Sequence, residues 1–185
     1  WGITNKNMAS IFRNSLNEII LENSISKQWD IAVSEWDIFE VSEDVENKSS
    51  CICGKENIKY LFSIRNRING NILFPIGSSC IKKFGRSDLQ VLTNIYEKLF
   101  KLKHKLENNE FIEFSSEFFS RRLLEFMYDN GAFTNNKFNN FNGERDYLFL
   151  TDMFNTRSSK SGRQDAKIKA ILINSIFPFL KQFLE

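Results

Sequence analysis

Three thiols within 30 residues are the densest chemistry in this chain. Cys51 and Cys53 stand one residue apart in CICGKE, and Cys80 follows in GSSCIKKFG, 27 residues after Cys53. These are all the cysteines the chain has. Clustered cysteines in a reduced protein favour a metal site or inert thiols over a disulfide. Zinc takes four soft or borderline ligands in a tetrahedron. A Cys knuckle followed by Gly54 lets backbone amides approach the sulfurs, and a cysteine in the first turn of a helix gains from the helix dipole, which favours its thiolate.

The elements that must position these thiols are legible. Ile58, Tyr60, Phe62 and Ile64 alternate with Lys59, Leu61, Ser63 and Arg65, which predicts a half-buried strand. Asn69-Gly70 marks a hairpin turn, and 71–76 is the returning strand, placed at a sheet edge by Pro75. Gly77-Ser78-Ser79 then opens a short helix ended by Gly85. Knuckle, hairpin, turn and helix is the order of parts in a treble-clef zinc finger. The segment resembles a Cys-x-Cys-Gly … Gly-Ser-x-Cys-Ile-x-x-Phe module of uncharacterised phage, mobile-element and large DNA virus proteins, matched here by Cys51, Cys53, Gly54, Ile64, Asn66, Gly77, Ser78, Cys80, Ile81 and Phe84.

The resemblance implies a zinc cofactor and, loosely, nucleic-acid-linked biology. It also implies a fourth ligand near the knuckle or one turn into the helix, where this chain has Lys55 and Lys83. A protonated lysine cannot bind a metal. His104, the only histidine, is the candidate for that place, with Glu56 or a water as other completions. Two readings therefore stand side by side, a zinc module and a metal-free apolar hairpin. No carboxylate or histidine is spaced to act as a base beside the thiols, so a catalytic metal is not expected.

Enzyme chemistry elsewhere has little to work with. A single histidine removes most Ser-His-Asp, Cys-His and His-metal constellations, and there is no phosphate-cradling glycine loop. Asp30, Glu35, Asp37 and Glu40, and again Glu110, Glu113 and Glu117, recur every few residues. The second set reads as an exposed helix face before it reads as a two-metal nuclease site.

The rest of the chain reads as α+β, a small β-rich unit followed by a helical half. Hydrophobic residues make up 42% of the 185, with 19 phenylalanines, enough for a real core. No apolar run approaches the roughly 18–20 residues of a membrane span, and no signal peptide is evident, so a cytoplasmic location is expected. Residues 1–7 precede Met8 and read as a remnant of expression or processing. Residues 8–87 form the α+β unit, and 88–185 a helical subdomain packed on it. Helices are predicted over 8–24, 88–107, about 110–129, 144–155 and 164–184, with Pro178 bending the last. Trp29 to Val41 reads as one or two strands, and 42–50 as a mobile loop. Phe133, Phe138 and Phe141 in an Asn-rich loop read as anchors to the helical core in preference to stacking platforms for bases.

Charge is segmental. Residues 51–109 hold 11 basic and 4 acidic side chains, whereas 1–50 hold 4 and 9. Lys55, Lys59, Arg65, Arg67, Lys82, Lys83 and Arg86 on the hairpin and short helix, with Lys98, Lys101 and Lys105 beyond, suit contact with phosphate or an acidic protein surface. Alternating solvated faces would give the same pattern. In the loop RSSKSGR, Arg157, Lys160 and Arg163 precede a helix start that is similar, through Gly162, Arg163, Gln164 and Ile168, to short helix starts in some nucleic-acid-processing proteins. The expectation is a non-enzymatic binding protein of phage or mobile-element type that engages nucleic acid or a host protein–nucleic acid complex. The alternative is an anti-CRISPR-like inhibitor whose acidic segments 30–46 and 110–129 mimic DNA. A metal-dependent nuclease is the third reading.

Overall fold

The computed structural model describes residues 2–156 and 158–184, with side chains from residue 8 onward except that of residue 9. Two compact units divide the chain, Trp1–Thr93 and Asn94–Glu185. The first carries a three-stranded antiparallel sheet, and the second is helical. This is the α+β architecture that the sequence predicts. Among the described residues, no helix is long and apolar enough to cross a membrane.

In the first unit, helix α1 spans Gly2–Asn23 and fully buries Leu16 and Ile20, one turn apart on one face. The backbone of residues 2–7 is continuous with it. The stretch expected as strands from Trp29 divides instead. A single helical turn, α2 (Trp29–Ala32), and a 3₁₀ turn (Val33–Glu35) come first, and strand β1 begins only at Trp36 and runs to Glu43. The turn closes on its own backbone, and the Glu35 side chain that ends it is held by partners outside the stretch. The amides of Ile31 and Ala32 donate to the carbonyl of Gln28 at 3.1 and 2.8 Å. The Glu35 carboxylate, only 2% exposed, accepts from the amides of Ile25 and Ser26 at 2.8 Å and from Asn66 Nδ2 at 2.7 Å. One side chain thus ties the α1–α2 connection to the sheet.

Strand β2 (Tyr60–Asn66) is central, between β1 and β3 (Ile72–Gly77). Its register against β1 runs from Trp36↔Asn66 to Glu43↔Tyr60, with Phe39 as the extra residue of a bulge. The hairpin turn falls at Asn69-Gly70, where Gly70 takes φ +78°, and Pro75 lies on an edge strand as expected. The loop expected to be mobile is pinned. Asp44 accepts hydrogen bonds from the Ser49 hydroxyl and from the amides of Glu46, Asn47, Lys48 and Ser49, all within 3.1 Å. The Ser49 hydroxyl first, and then those amides, hold the Asp44 carboxyl down to about 2. Short helix α3 (Ser78–Lys82) follows β3, and α4 (Ser87–Glu107) leads into the second unit.

The second unit is built on Leu99, Leu102, Phe119, Leu123, Leu124, Met127, Leu150, Ile176 and Leu180, none of them exposed. The helix expected over about 110–129 is confined to α5 (Arg121–Asp129). Asn109 at φ +54° ends the preceding helix, and Ser120 caps the new one by accepting from the amide of Leu123 at 3.1 Å. Between them the chain packs by its rings instead, with Phe114 and Phe119 at 4.8 Å. In the Asn-rich loop only Phe133 is an anchor. Phe138 and Phe141 are 72% and 71% exposed, which corrects their expected burial. Asn136 and Asn139 cap each other there, and Asn139 Nδ2 donates to Asp146 at 2.9 Å, so amides hold the loop where rings were expected to. Helix α6 (Glu144–Asn155) follows, then α7 (Gly162–Ile171), opened by a Ser161–Gln164 capping box. The final helix is not simply bent at Pro178. A π-turn, Leu172–Ile176, intervenes before α8 (Phe177–Phe183), and the amide of Phe177 donates to the carbonyl of Leu172.

Two substitutions test this account. A Cβ at Gly143 would lie 1.9 Å from the Phe133 carbonyl oxygen, so backbone must move to admit it. Gly143→Ala should cost about 2 kcal/mol or more, read as a lower melting temperature in calorimetry. Burial opposes the charge on Glu35, but the Ser26 amide, the Asn66 side chain and the Ile25 amide outweigh it and lower its pKa below the ordinary 4.5. The stability this adds is present above pH 4.5 and lost as pH falls below it, where the unfolded chain protonates first. Glu35→Gln should destabilise by about 2 kcal/mol at neutral pH and flatten that acid slope in denaturant titrations.

Candidate metal centre

The thiols are assembled by the free edge of β3. Pro75 has no N–H, but its carbonyl accepts the amide of Ile52 at 2.9 Å, which docks the knuckle onto the edge strand. The knuckle closes on itself through the amides of Cys51 and Gly54, which donate to the carbonyls of Lys55 and Cys51 at 2.8 Å. Gly54 completes this turn at φ +90°, a conformation that favours glycine. Two residues further on, at the last position of the strand, the Gly77 amide donates to Cys51 Sγ at 3.3 Å. Cys80 sits in the first turn of α3, which starts directly after Gly77.

These constraints bring all three sulfurs into one buried cluster. Cys80 Sγ lies 3.7 Å from Cys51 Sγ and 3.4 Å from Cys53 Sγ, and the three side chains are 2–4% exposed. All three sulfurs are within 4.8 Å of one another. With zinc–sulfur bonds of about 2.3 Å, the sulfurs of a tetrahedral thiolate site stand about 3.8 Å apart. The cluster therefore fits three corners of such a site, and it is positioned to coordinate a metal ion. Cys51, Cys53 and Cys80 would hold the ion. Bound there, it would cross-link knuckle, edge strand and helix.

Electrostatics point the same way. The Cys80 thiol and the amides of Cys53 and Gly77 outweigh burial and hold the Cys51 thiol well below the ordinary range. The Cys51 sulfur, together with burial, pushes Cys80 up. The Cys51–Cys80 pair alone thus favours one thiolate over two. A divalent cation reverses that preference by letting every thiol ionise.

Among the described residues, the cysteines are the one group of three or more His, Cys, Asp or Glu side chains close enough to share a metal. Neither acidic run forms such a group. Glu35 is committed to the fold, Asp37 pairs with Arg67 at 3.4 Å and Arg86 at 3.1 Å, and Glu110 pairs with Lys105. His104 lies in the last turn of α4 in the second unit, with Nδ1 3.7 Å from a Glu107 oxygen. Glu56 is exposed beside the knuckle.

The basic residues have divided roles. Lys59 pairs with Glu43 at 3.2 Å. Arg67 donates to the Ser34 carbonyl, and Arg86 reaches the carbonyls of Trp36 and Val33 as well as Asp37 and Asp88. Lys98 donates to the carbonyls of Ser116 and Glu117 at 3.0 and 2.9 Å, fastening the irregular segment before α5. Lys82 and Lys160 are half-buried, and Lys55, Arg65, Lys83, Lys101 and Arg163 are exposed. Arg65 lies over the Phe39 ring at 5.5 Å. Arg157 lies outside the described residues.

The backbone groups that shape the centre, the Gly77 amide and the Pro75 carbonyl, carry no sequence signal beyond a proline within an edge strand and a glycine at its end. No family model matches the chain, and neither a curated protein nor a solved structure matches it.

Proposed function

We propose that the first unit is a treble-clef-like zinc module with a structural metal, and that the protein acts by binding a partner without catalysis. The observation that carries this reading is the cluster of three buried sulfurs, with Cys80 3.7 and 3.4 Å from the other two and Gly77 donating to one of them. Carboxylates and histidine are missing from that group, which suits a scaffold and not a hydrolytic metal. Nucleic acid, or a complex containing it, is the partner class proposed. Lys55 and Lys83, at the places where zinc modules of this kind hold ligands, are exposed cations in this chain, and Arg65 joins an exposed Phe39. An aromatic ring beside a cation suits stacking and phosphate contact together.

Protein purified without chelators should carry about one zinc per chain by elemental analysis. Cys51→Ser and Cys80→Ala should each remove it and lower the melting temperature, and a chelator should do the same to the parent. A metal-free parent whose melting ignores both substitutions would retire the module.

Affinity for a labelled oligonucleotide should fall steeply with salt and drop several-fold in the double variant Lys55→Glu, Lys83→Glu. Binding that is absent or indifferent to salt removes the nucleic-acid partner and leaves the metal module to stand on its zinc content. A host complex captured equally well after nuclease treatment would favour the inhibitor reading instead.

A further inference from the structure

The second unit contains a cleft of about 430 Å³, a size typical of small-ligand sites. One wall is the end of α5 and the residues after it, including Asn130 and Thr134; the other is the π-turn and α8, including Asn174, Ser175, Phe179 and Gln182. No lining residue carries a charge. The π-turn re-aims Asn174 and Ser175, and Pro178 has no N–H to return to the preceding turn. π-turns of this kind are frequent at functional sites.

The polar groups have a definite sense. Asn130 Nδ2 donates to the Phe126 carbonyl and Asn174 Nδ2 to the Ala170 carbonyl, both at 2.8 Å. Their partners can only accept, so each amide keeps its oxygen as an acceptor. Gln182 is exposed and offers both a donor and an acceptor. Ser175 is 3% exposed, and its hydroxyl has no partner. It lies at the floor shared by this cleft and a smaller neighbouring one of about 90 Å³. The residue, not its enclosed hydroxyl, borders the cleft, so the groups open to a ligand there are Asn130, Asn174 and Gln182.

The apolar side of the cleft ends a column of rings. Tyr96 and Phe183 stack at 6.3 Å and 20°, and Phe183 and Phe179 at 4.9 Å and 24°. Phe126 meets Phe183 edge-on at 5.6 Å and holds the column upright. Phe179 is its last member and is half-buried in the cleft wall. A flat ring entering there continues the stack.

From these features we infer that the cleft binds an uncharged, planar heteroaromatic ring with amide-like edges, of the nucleobase class. The ring stacks on Phe179, and its N–H groups meet Asn130, Asn174 and Gln182. With no cation in the lining, a phosphate would enter unpaired, so the recognised unit is the base or nucleoside. The inference rests on neither the thiol cluster nor the exposed lysines.

The test is protein-observed NMR on the full chain titrated with adenosine, guanosine, cytidine and uridine, with a methyl glucoside as the non-planar control. At least one nucleoside should shift resonances of 130–134 and 174–183, and the glucoside should not. Phe179→Leu should weaken that binding roughly tenfold, and Gln182→Ala several-fold, with melting temperatures recorded for both. Because Phe179 contributes to packing, the exposed Gln182 decides if Phe179→Leu fails to fold. No shift with any nucleoside at millimolar concentration, equal shifts with the glucoside, or unchanged affinity in Gln182→Ala would each overturn the inference. Nucleosides carry no phosphate, so the outcome is independent of salt-sensitive binding and of zinc content.

Discussion

Charge at the three sulfurs is the constraint on which the first unit turns. Thiols separated by 3.4–3.7 Å in a buried site cannot all ionise unaided, because each new thiolate faces its neighbours across a medium of low dielectric. The fold already supplies amides to one of them and crowds the others. Such an arrangement is less favourable as a set of free thiols than around a dication, so a bound metal would couple to folding. The elements that converge there are short. The knuckle, a six-residue edge strand and a five-residue helix have little buried area of their own with which to fix one another.

That economy explains why hydrogen bonds to backbone recur throughout the unit. Glu35 holds two amides and Asn66, Asp44 holds a turn of five residues, and Ser24 donates to the Ile20 carbonyl while accepting from Trp36 Nε1. Each does what a longer helix or wider sheet would do by repetition. The same logic governs the basic residues. Arg67, Arg86 and Lys98 end on backbone carbonyls, where a guanidinium or ammonium satisfies acceptors that the irregular chain leaves over. Positive charge counted along the sequence therefore overstates the charge offered to a partner.

The hairpin, the edge position of Pro75, the short helix after Gly77 and the thiol cluster were all legible, because each rests on residues whose backbone preferences or chemistry are strong and local. Helix boundaries at 144–155 were legible for the same reason. The stretch from Trp29 was not. Its alternation of apolar residues is genuine, but a buried carboxylate nine residues from the amide of Ser26 decides the conformation, and periodicity does not register a partner at that distance. The segment 111–120 misled in the opposite way. Its phenylalanines suit a helix face in spacing, yet they pack ring on ring, and Ser120 starts the helix anew. Phe138 and Phe141 were read as anchors because only Lys137 stands near them as a cation, whereas the loop is held by Asn136, Asn139 and Asp146.

Pro178 shows how a single residue can be read correctly and still conceal its consequence. Proline inside an apolar helical pattern predicts a disturbance, and a disturbance is present. What the pattern does not carry is its form. In place of a kink, the helix inserts a π-turn one step upstream, keeps Leu172, Ile176 and Leu180 in the core, and carries Asn174 and Ser175 to the wall of a cleft. Core packing fixes the two ends of the helix, so the extra residue has to be absorbed between them. Beside that turn the Ser175 hydroxyl is buried without a partner, a cost the local structure leaves standing. In the first unit a cation would offset the cost of gathering thiolates, and in the second the proposed planar ligand would stack on Phe179.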